Sequence, residues 1–245
     1  MEIHVLTIFP DMFASPLNES ILLRAQARGL LKLCVHNVRD FTTDRHRVTD
    51  DLPYGGGPGM VMKPEPIVAG IETVRDRYGP AHVILLSPQG DLLTQSHVKA
   101  LACHERLLLI CGRYSGIDAR VQHYVDAEIS IGDYVLTGGE LPAMVLVDAV
   151  ARMIPDVLGD QLSAEEDSLF HSLLQGPVYT RPVEFDGLQV PTILRSGDHA
   201  AIAKWRRRQA LLTTRQRRPD LLQQAPLDPQ DKAILQEFDR SETGD

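Results

Sequence analysis

This sequence of 245 residues has little cysteine, few aromatic side chains and no long uncharged apolar run. Its three cysteines include no CxxC pair, which predicts reduced thiols in a cytoplasmic protein rather than a disulfide framework. The most apolar stretch, residues 143–154, contains Asp148 and Arg152, so we do not expect it to cross a membrane. The first residues also lack the basic and apolar regions of a secretion signal.

Common nucleotide and metal motifs are absent as well. No GxxxxGK motif occurs, and the glycine-rich run at 55–59 is followed by Met60, so it does not match GxGxxG. The nine histidines form neither an HExxH motif nor a cluster with cysteine, and we therefore expect no metal site. These absences argue against an NTPase and against a Rossmann-type dehydrogenase.

Negative charge predominates, and the formal net charge of −8 by itself argues against a nucleic-acid partner. The distribution is uneven, because residues 195–218 hold eight basic residues and one acid, a net charge of +7 that leaves −15 for the rest of the chain. An acidic protein with such a basic segment can still attract a polyanion to one face. A solvated charged helix is the structural alternative.

Short continuous apolar runs alternate with helical patterns in the first part of the chain. The runs at 83–86 and 107–111 each end in a glycine-containing turn, and residues 3–9 are a further strand candidate. Such runs are typical of buried parallel strands, and residues 94–104 predict a helix between them. The pattern predicts an α/β fold, in which ligands bind beyond the carboxyl ends of the strands.

Helical patterns dominate the second half. Residues 140–154 predict an apolar helix that Pro155 ends. Further along, Asp198 is expected to cap a helix through Leu212, and residues 228–238 predict a last helix.

The segment 130–144, SIGDYVLTGGELPAM, is the most informative part of the chain. Gly132, Gly138 and Gly139 flank a short apolar centre, and glycine lacks the Cβ that would keep a ligand away from the backbone. The segment has no lysine or arginine, so it does not suit a phosphate. It suits a flat polar group such as an adenine edge, which backbone groups can bind.

Two side chains are candidates for charge and proton chemistry, and each has a structural alternative. Arg152 lies four residues after Asp148, and it forms either a surface ion pair or a clamp for negative charge on an oxygen. Asp167 follows Glu165 and Glu166, and this run either begins a helix or supplies a base whose pKa is raised by its neighbours. Taken alone, the residue types favour the structural alternatives.

Further short motifs occur in order along the chain: DRHR at 44–47, PYGGGPGM at 53–60, SPQG at 87–90, GRY at 112–114, GID at 116–118, the segment 130–144, EDS at 166–168, YTRP at 179–182 and WR at 205–206. Together, these motifs resemble those of the bacterial tRNA (guanine-N1)-methyltransferases, a family of the SPOUT class of knotted methyltransferases. The resemblance extends from the first strand to about residue 235 and preserves the order of the motifs.

The resemblance implies a parallel-sheet α/β domain of the SPOUT class with a C-terminal trefoil knot over residues 1–158, a linker over 159–176, and a small all-helical tRNA-binding domain over 177–245. It also implies a homodimer with an active site shared between subunits, and S-adenosylmethionine bound in a bent shape in the knotted cleft. The implied cofactor-binding residues are Pro88, Gly112, Tyr114, Ile131, Gly132, Asp133, Tyr134, Val135, Leu136, Gly138, Gly139 and Leu141.

The resemblance further implies methylation of N1 of the guanosine immediately 3′ of the anticodon in tRNA. Asp167 would remove the N1 proton, and Arg152 would neutralise the negative charge that moves to O6. A solvated turn is the alternative for the DRHR motif, and Trp205 is predicted to anchor a helical core rather than to stack on bases. The implied RNA-binding residues are Arg45, His46, Lys204, Arg206, Arg207, Arg208, Arg215, Arg217 and Arg218.

One position departs from the family pattern. The family usually has an acid between Tyr114 and Gly116 that is associated with the cofactor and with a magnesium requirement, whereas this chain has Ser115. The departure argues against magnesium dependence here. Two other functions stay open: a knotted methyltransferase acting on a ribose 2′-hydroxyl, which has no N1 proton to remove, and a non-catalytic RNA-binding regulator.

Overall fold

The computed structural model describes residues 1–14, 16–159 and 167–243. For residues 242 and 243 it describes the backbone but not the side chains. The chain forms two compact units, Met1–Gly159 and Asp160–Asp245. Among the helices of the described residues, none has the length and apolar character needed to span a bilayer.

A five-stranded sheet, parallel throughout, forms the centre of the first unit. Every residue after Arg106 in its central strand is buried, which explains the uninterrupted apolar run there and confirms the predicted parallel strands. In spatial order the strands are β2 (Lys32–Asn37), β1 (Glu2–Thr7), β6 (Arg106–Cys111), β5 (His82–Leu92) and β7 (Ala127–Ser130). A separate antiparallel pair joins β3 (Asp50–Asp51) to β4 (Val61–Met62).

Four α-helices cover the two faces of the sheet: α1 (Ser20–Ala27), α2 (Pro64–Tyr78), α3 (Gln95–Leu101) and α4 (Glu140–Ala151). Alternate residues of a strand point to opposite faces, so Ile3 and Val5 join a core with α1, α3 and α4, whereas Leu6 joins a second core with α2. The predicted helices over 94–104 and 140–154 are present but shorter. Thr94 caps α3 by accepting a hydrogen bond from the His97 amide at 3.4 Å, and Arg152 is the C-cap of α4.

The second unit contains two longer helices, α5 (His199–Arg217) and α6 (Pro229–Thr243). Asp198 caps α5 as predicted, since its carboxylate accepts a hydrogen bond from the Ala201 amide at 3.0 Å. The helix runs past Leu212 because no breaker occurs before Pro219, which pushes Arg218 out of the helical region of backbone space.

The second unit also holds a short hairpin, formed by β8 (Glu184–Phe185) and β9 (Leu188–Gln189), within a region that was expected to be entirely helical. Asp186 and Gly187 connect the strands with φ of 50° and 79°. An Asp-Gly pair with both φ angles positive matches the twist of a two-residue hairpin, which explains why this sequence forms strands.

Residues 167–176, which belong to the expected linker, pack within the second unit. The Leu174 amide donates to the Thr214 hydroxyl at 2.8 Å, and Leu173 is buried. A Cβ on Gly176 would lie 2.7 Å from the Cβ of Gln209, so the segment runs directly against α5. The rest of the expected linker, apart from Gly159, lies outside the described residues.

Candidate active site

A cavity of about 360 Å³ opens beyond the carboxyl ends of β6 and β7, beside an irregular part of β5. Residues 112–119 and 131–132 follow β6 and β7 directly. Residues 87–89 lie within β5, where its pairing with β7 is interrupted between Leu86 and Asp91, and residues 134–139 complete the cavity. This is where an open parallel sheet presents its ligand site. Cavities of this size suit a single small organic ligand.

Most of the predicted cofactor-binding residues meet at this cavity. Asp133 and Leu141 are exposed and do not line it. The residues that do are Pro88, Gly112, Tyr114, Ile131, Gly132, Tyr134, Val135, Leu136, Gly138 and Gly139. The cavity therefore gathers residues from three segments of the sequence, while their contact with a cofactor stays a prediction.

Two glycines allow the walls to approach each other. A Cβ on Gly139 would lie 2.7 Å from the Cα of Cys111, and the Gly139 amide donates to the Gly112 carbonyl at 2.9 Å. A Cβ on Gly90 would lie 2.4 Å from the backbone of Glu128. Because both contacts are with backbone, which cannot move aside, a larger residue at either position would separate the walls.

A buried ion pair links the two loops that form one side of the cavity. Arg113 Nε lies 3.3 Å from Glu140 Oε2, and the side chain of Glu140 is only 1% exposed. Glu140 also accepts a hydrogen bond from the Thr7 hydroxyl at 2.8 Å, and Arg113 donates to the Thr137 carbonyl at 2.9 Å. The guanidinium carbon of Arg113 lies 4.5 Å from the centre of the Phe9 ring.

This network was not predicted, because Arg113 and Glu140 are 27 positions apart and belong to separate motifs. A charged residue in the first turn of the mainly apolar α4 was a weak signal for it.

Two acidic residues, Asp118 and Glu128, line the cavity, and Glu128 accepts a hydrogen bond from Gln122 at 3.4 Å. Asp118 accepts hydrogen bonds from Arg120 at 2.8 and 2.7 Å, which lower the pKa of its carboxyl to about 2. Ser115 lines the cavity and brings no charge, and its amide donates to the Met60 carbonyl at 2.9 Å. Ser115 and the engaged Asp118 thus offer little to a divalent cation.

The two predicted catalytic residues belong to different units. Arg152 follows the last turn of α4 in the first unit, where its amide donates to the Asp148 carbonyl at 3.3 Å. Asp167 is half-buried in the second unit. Glu165 and Glu166, the other members of its acidic run, lie outside the described residues.

Asp167 lines a second, larger cavity of about 1,230 Å³ within the second unit. Tyr179 and Trp205 form part of its wall, with ring centres 6.4 Å apart. Arg195 and Arg206 also line it, so an acidic group, aromatic faces and positive charge share one concave surface. That combination is suited to an unstacked base with its phosphates.

The basic segment is less uniform than its sequence indicates, because several of its arginines bind acids of the same unit. Arg207 forms a two-pronged ion pair with Asp231 at 3.1 and 2.6 Å and also donates to the Pro226 carbonyl. Acid contacts are also made by Arg208 to Glu237, Arg215 to Asp239 and Arg218 to Asp220. Arg207 thus joins α5 to α6, whereas Lys204 and Arg217 are exposed on α5.

Arg45 and His46 lie in an exposed turn of the first unit. The carboxylate of Asp44 organises this turn by accepting a hydrogen bond from the His46 amide at 2.9 Å. Their predicted contact with RNA stays a prediction.

Comparison with known proteins relates both units to one group of enzymes. A solved structure of a tRNA (m1G37) methyltransferase from Aquifex aeolicus superposes with a TM-score of 0.75 at 38% identity, covering 89% of this chain and 93% of that one. A tRNA (guanine-N(1)-)-methyltransferase of Pelotomaculum thermopropionicum is 55% identical over 241 residues, 97% of this chain and 96% of the relative. One from Geobacter sulfurreducens is 54% identical over 98% of each chain. Because the family model of the tRNA (Guanine-1)-methyltransferase TrmD also matches residues 1–224, the chain belongs to the tRNA (guanine-1)-methyltransferase family.

Proposed function

We propose that this protein transfers a methyl group from S-adenosylmethionine to N1 of a guanine in tRNA, at the guanosine immediately 3′ of the anticodon. The observation that carries the proposal is the cavity beyond β6 and β7, which gathers the glycine-rich segment, the loop after β6 and the irregular part of β5. Full-length similarity to relatives that bear this activity in their names supports it.

The residues of the cavity fit an adenosyl group on two grounds. Its volume of about 360 Å³ suits one small ligand, and its walls include glycine-rich backbone and apolar side chains but no lysine. Pro88, Ile131 and Leu136 offer apolar surface to a flat base, and the neighbouring peptide groups can bind its edge. S-adenosylmethionine, when bound, supplies an electrophilic methyl group on a sulfonium.

Asp167 is proposed to accept the N1 proton of guanine. Neutral N1–H is a poor nucleophile, and its deprotonation places a lone pair on N1 and moves negative charge toward O6. Arg152 is proposed to hold O6 through its guanidinium, which stabilises that charge as it develops. Ser115 is uncharged and Asp118 is already bound by Arg120, so neither is assigned a metal ion here. Proton removal and stabilisation of the charge on O6 are therefore assigned to Asp167 and Arg152.

The knot, the homodimer and the cytoplasmic localisation that the resemblance implies stay predictions of this proposal. In a dimer, the second unit of one subunit can serve the cavity of the other, which would explain why the two proposed catalytic residues lie in different units.

The direct test is mass analysis of tRNA nucleosides after incubation with isotopically labelled S-adenosylmethionine. The proposal expects label in 1-methylguanosine at the position 3′ of the anticodon. Label in a 2′-O-methyl nucleoside would indicate the ribose-directed alternative. No label together with no cofactor binding by calorimetry would indicate a non-catalytic RNA-binding regulator.

A further inference from the structure

A cluster of ligand-type side chains lies on β1 and β2, at the opposite end of the sheet from the cavity. The parallel register places His4 beside Cys34, and Glu2 precedes His4 by two residues on the same face. The ligand atoms of Glu2, His4 and Cys34 all lie within 4.8 Å of one another. Nothing in the proposed methyl transfer uses these residues.

His4 is oriented as a ligand would be. Its side chain is fully buried, and its Nδ1 lies 2.9 Å from Nε2 of His36. Its Nε2 has no hydrogen-bond partner and lies 3.8 Å from a carboxylate oxygen of Glu2. A buried ring nitrogen without a partner is costly, and a bound cation between His4, Glu2 and Cys34 would remove that cost.

We propose that Glu2, His4 and Cys34 form a zinc-binding site, with water completing the coordination. One nitrogen, one sulfur and one carboxylate oxygen are the donor types that zinc takes in proteins. Donors on one tetrahedral zinc ion lie about 3.3–3.8 Å apart, so a closure of about 1 Å brings the three atoms into range.

The surroundings supply the supporting contacts of such a site. When His4 donates from Nδ1 to His36, its Nε2 keeps the lone pair that binds metal. Metal-binding histidines commonly donate their second ring N–H to an acceptor in this way. Tyr78 of α2 packs on the ring at 4.5 Å between centroids and fixes its plane.

Two cationic side chains, Arg106 and Lys32, contact Glu2 and compete with zinc for its carboxylate. Arg106 Nε donates to Glu2 at 2.8 Å from a mostly buried side chain, so it continues to orient the carboxylate. Lys32 binds the other oxygen of Glu2, Oε1, through a side chain that is 59% exposed. The oxygen nearest to His4 is Oε2, so zinc shares that oxygen with Arg106. Removal of the neighbouring positive charge of Lys32 therefore strengthens zinc binding.

The test is a titration of the chelator-treated, reduced full-length chain with Co²⁺, followed by displacement with Zn²⁺. We expect one equivalent of Co²⁺ to produce a thiolate-to-cobalt absorption band, which Zn²⁺ abolishes. The conservative variant Cys34→Ser loses the band, and His4→Gln and Glu2→Gln weaken it. Cys103→Ser, which changes an exposed cysteine elsewhere, retains it in full.

Two further variants keep the proposal open to contradiction even if Cys34→Ser unfolds. Lys32→Ala should bind zinc several-fold more tightly, and His36→Ala should bind it about 10–100-fold more weakly. The absence of a cobalt band in the unmodified chain, its persistence in folded Cys34→Ser, or unchanged zinc affinity in Lys32→Ala would each overturn the site. Circular dichroism of each variant establishes that it is folded.

Discussion

Glu140 carries a buried charge that connects three segments around the cavity. It accepts from Thr7 and pairs with Arg113, which in turn holds the Thr137 carbonyl. A buried ion pair adds little net stability, but removal of one partner leaves the other charge uncompensated. The pair thus fixes the positions of the loops at 112–118 and 137–139 relative to β1.

Glu140→Gln tests this role. We expect the free energy of unfolding to fall by about 3 kcal/mol, because Arg113 loses its counter-charge in a largely buried position. S-adenosylmethionine should also bind more weakly, since the loops are no longer held. Urea denaturation and calorimetry measure the two effects. Glu105→Gln is the matched control at a side chain that is 90% exposed, and equal effects in both variants would exclude the proposed role.

Asp167 is tested by Asp167→Asn. Asparagine keeps the shape of the side chain but cannot accept the N1 proton, so we expect turnover to fall by about 10²–10⁴-fold with cofactor affinity unchanged. Single-turnover methylation and calorimetry give the two quantities. Asp76→Asn, on the exposed surface of α2, is the control. Normal turnover in Asp167→Asn would show that another group removes the proton.

Among the secondary-structure elements, α5 and α6 show how a basic helix divides its arginines between structure and binding. Arg207 contacts Asp231, which is 2% exposed, whereas Lys204 and Arg217 lie on the exposed surface of α5. The number of charges along the sequence does not distinguish structural arginines from exposed ones. The distinction depends on which residues of α6 lie opposite each side chain of α5.

The pair between α5 and α6 predicts an acid-sensitive contribution to stability. The hydrogen bond from Arg207 lowers the pKa of Asp231 below its ordinary value of 3.8. The pair therefore stabilises the fold above about pH 4, and this contribution is lost as the pH falls through the lowered pKa. Asp231→Asn should reduce stability at pH 7 but flatten its dependence on pH below 4, as followed by urea denaturation. Asp220→Asn, at an exposed pair, should change stability far less. A steeper acid dependence in Asp231→Asn would contradict the assignment.

The exposed cations of α5 predict the salt dependence of tRNA binding. Lys204→Ala and Arg217→Ala should each weaken binding and reduce the slope of log K against log salt by about 0.7–0.9, as expected for one phosphate contact. Filter binding at several salt concentrations measures the slope. Lys232→Ala, at an exposed position on α6, is the control with the same change of charge. Unchanged slopes in both α5 variants would place the RNA elsewhere.

At the level of the whole molecule, the two units divide the proposed function. The first contains both buried cores and the complete lining of the smaller cavity. The second contains Asp167 and the basic helix. Binding of the methyl donor and removal of the guanine proton are thereby assigned to separate parts of one chain.

This division predicts the behaviour of a fragment comprising residues 1–159. Because its cores and cavity are internal, the fragment should fold and bind S-adenosylmethionine. It should form no 1-methylguanosine, since it lacks Asp167. Calorimetry and nucleoside mass analysis test the two statements, with the full-length chain as control. Methylation by the fragment would remove Asp167 from the mechanism, and a folded fragment without affinity would show that the cavity alone is insufficient.

Particular elements show which local signals were sufficient. The runs at 83–86 and 107–111 specify buried parallel strands because both faces of such a strand exclude water. Asp198 specifies the start of α5 because its carboxylate can satisfy a free amide of the first turn. The hairpin at 184–189 was missed, although Asp186-Gly187 is a pair whose conformational freedom permits a tight turn.

The fold class and the importance of the glycine-rich segment could be predicted from the amino-acid sequence, because they depend on periodicity and on residue types close together in the chain. Three contacts became visible only in the folded chain: Arg113 with Glu140, Arg207 with Asp231, and the cluster of Glu2, His4 and Cys34, where no metal site was expected. Each of these contacts joins residues far apart in sequence or on neighbouring strands. Strand order and helix packing bring such residues together, and neither can be predicted from a short stretch of sequence.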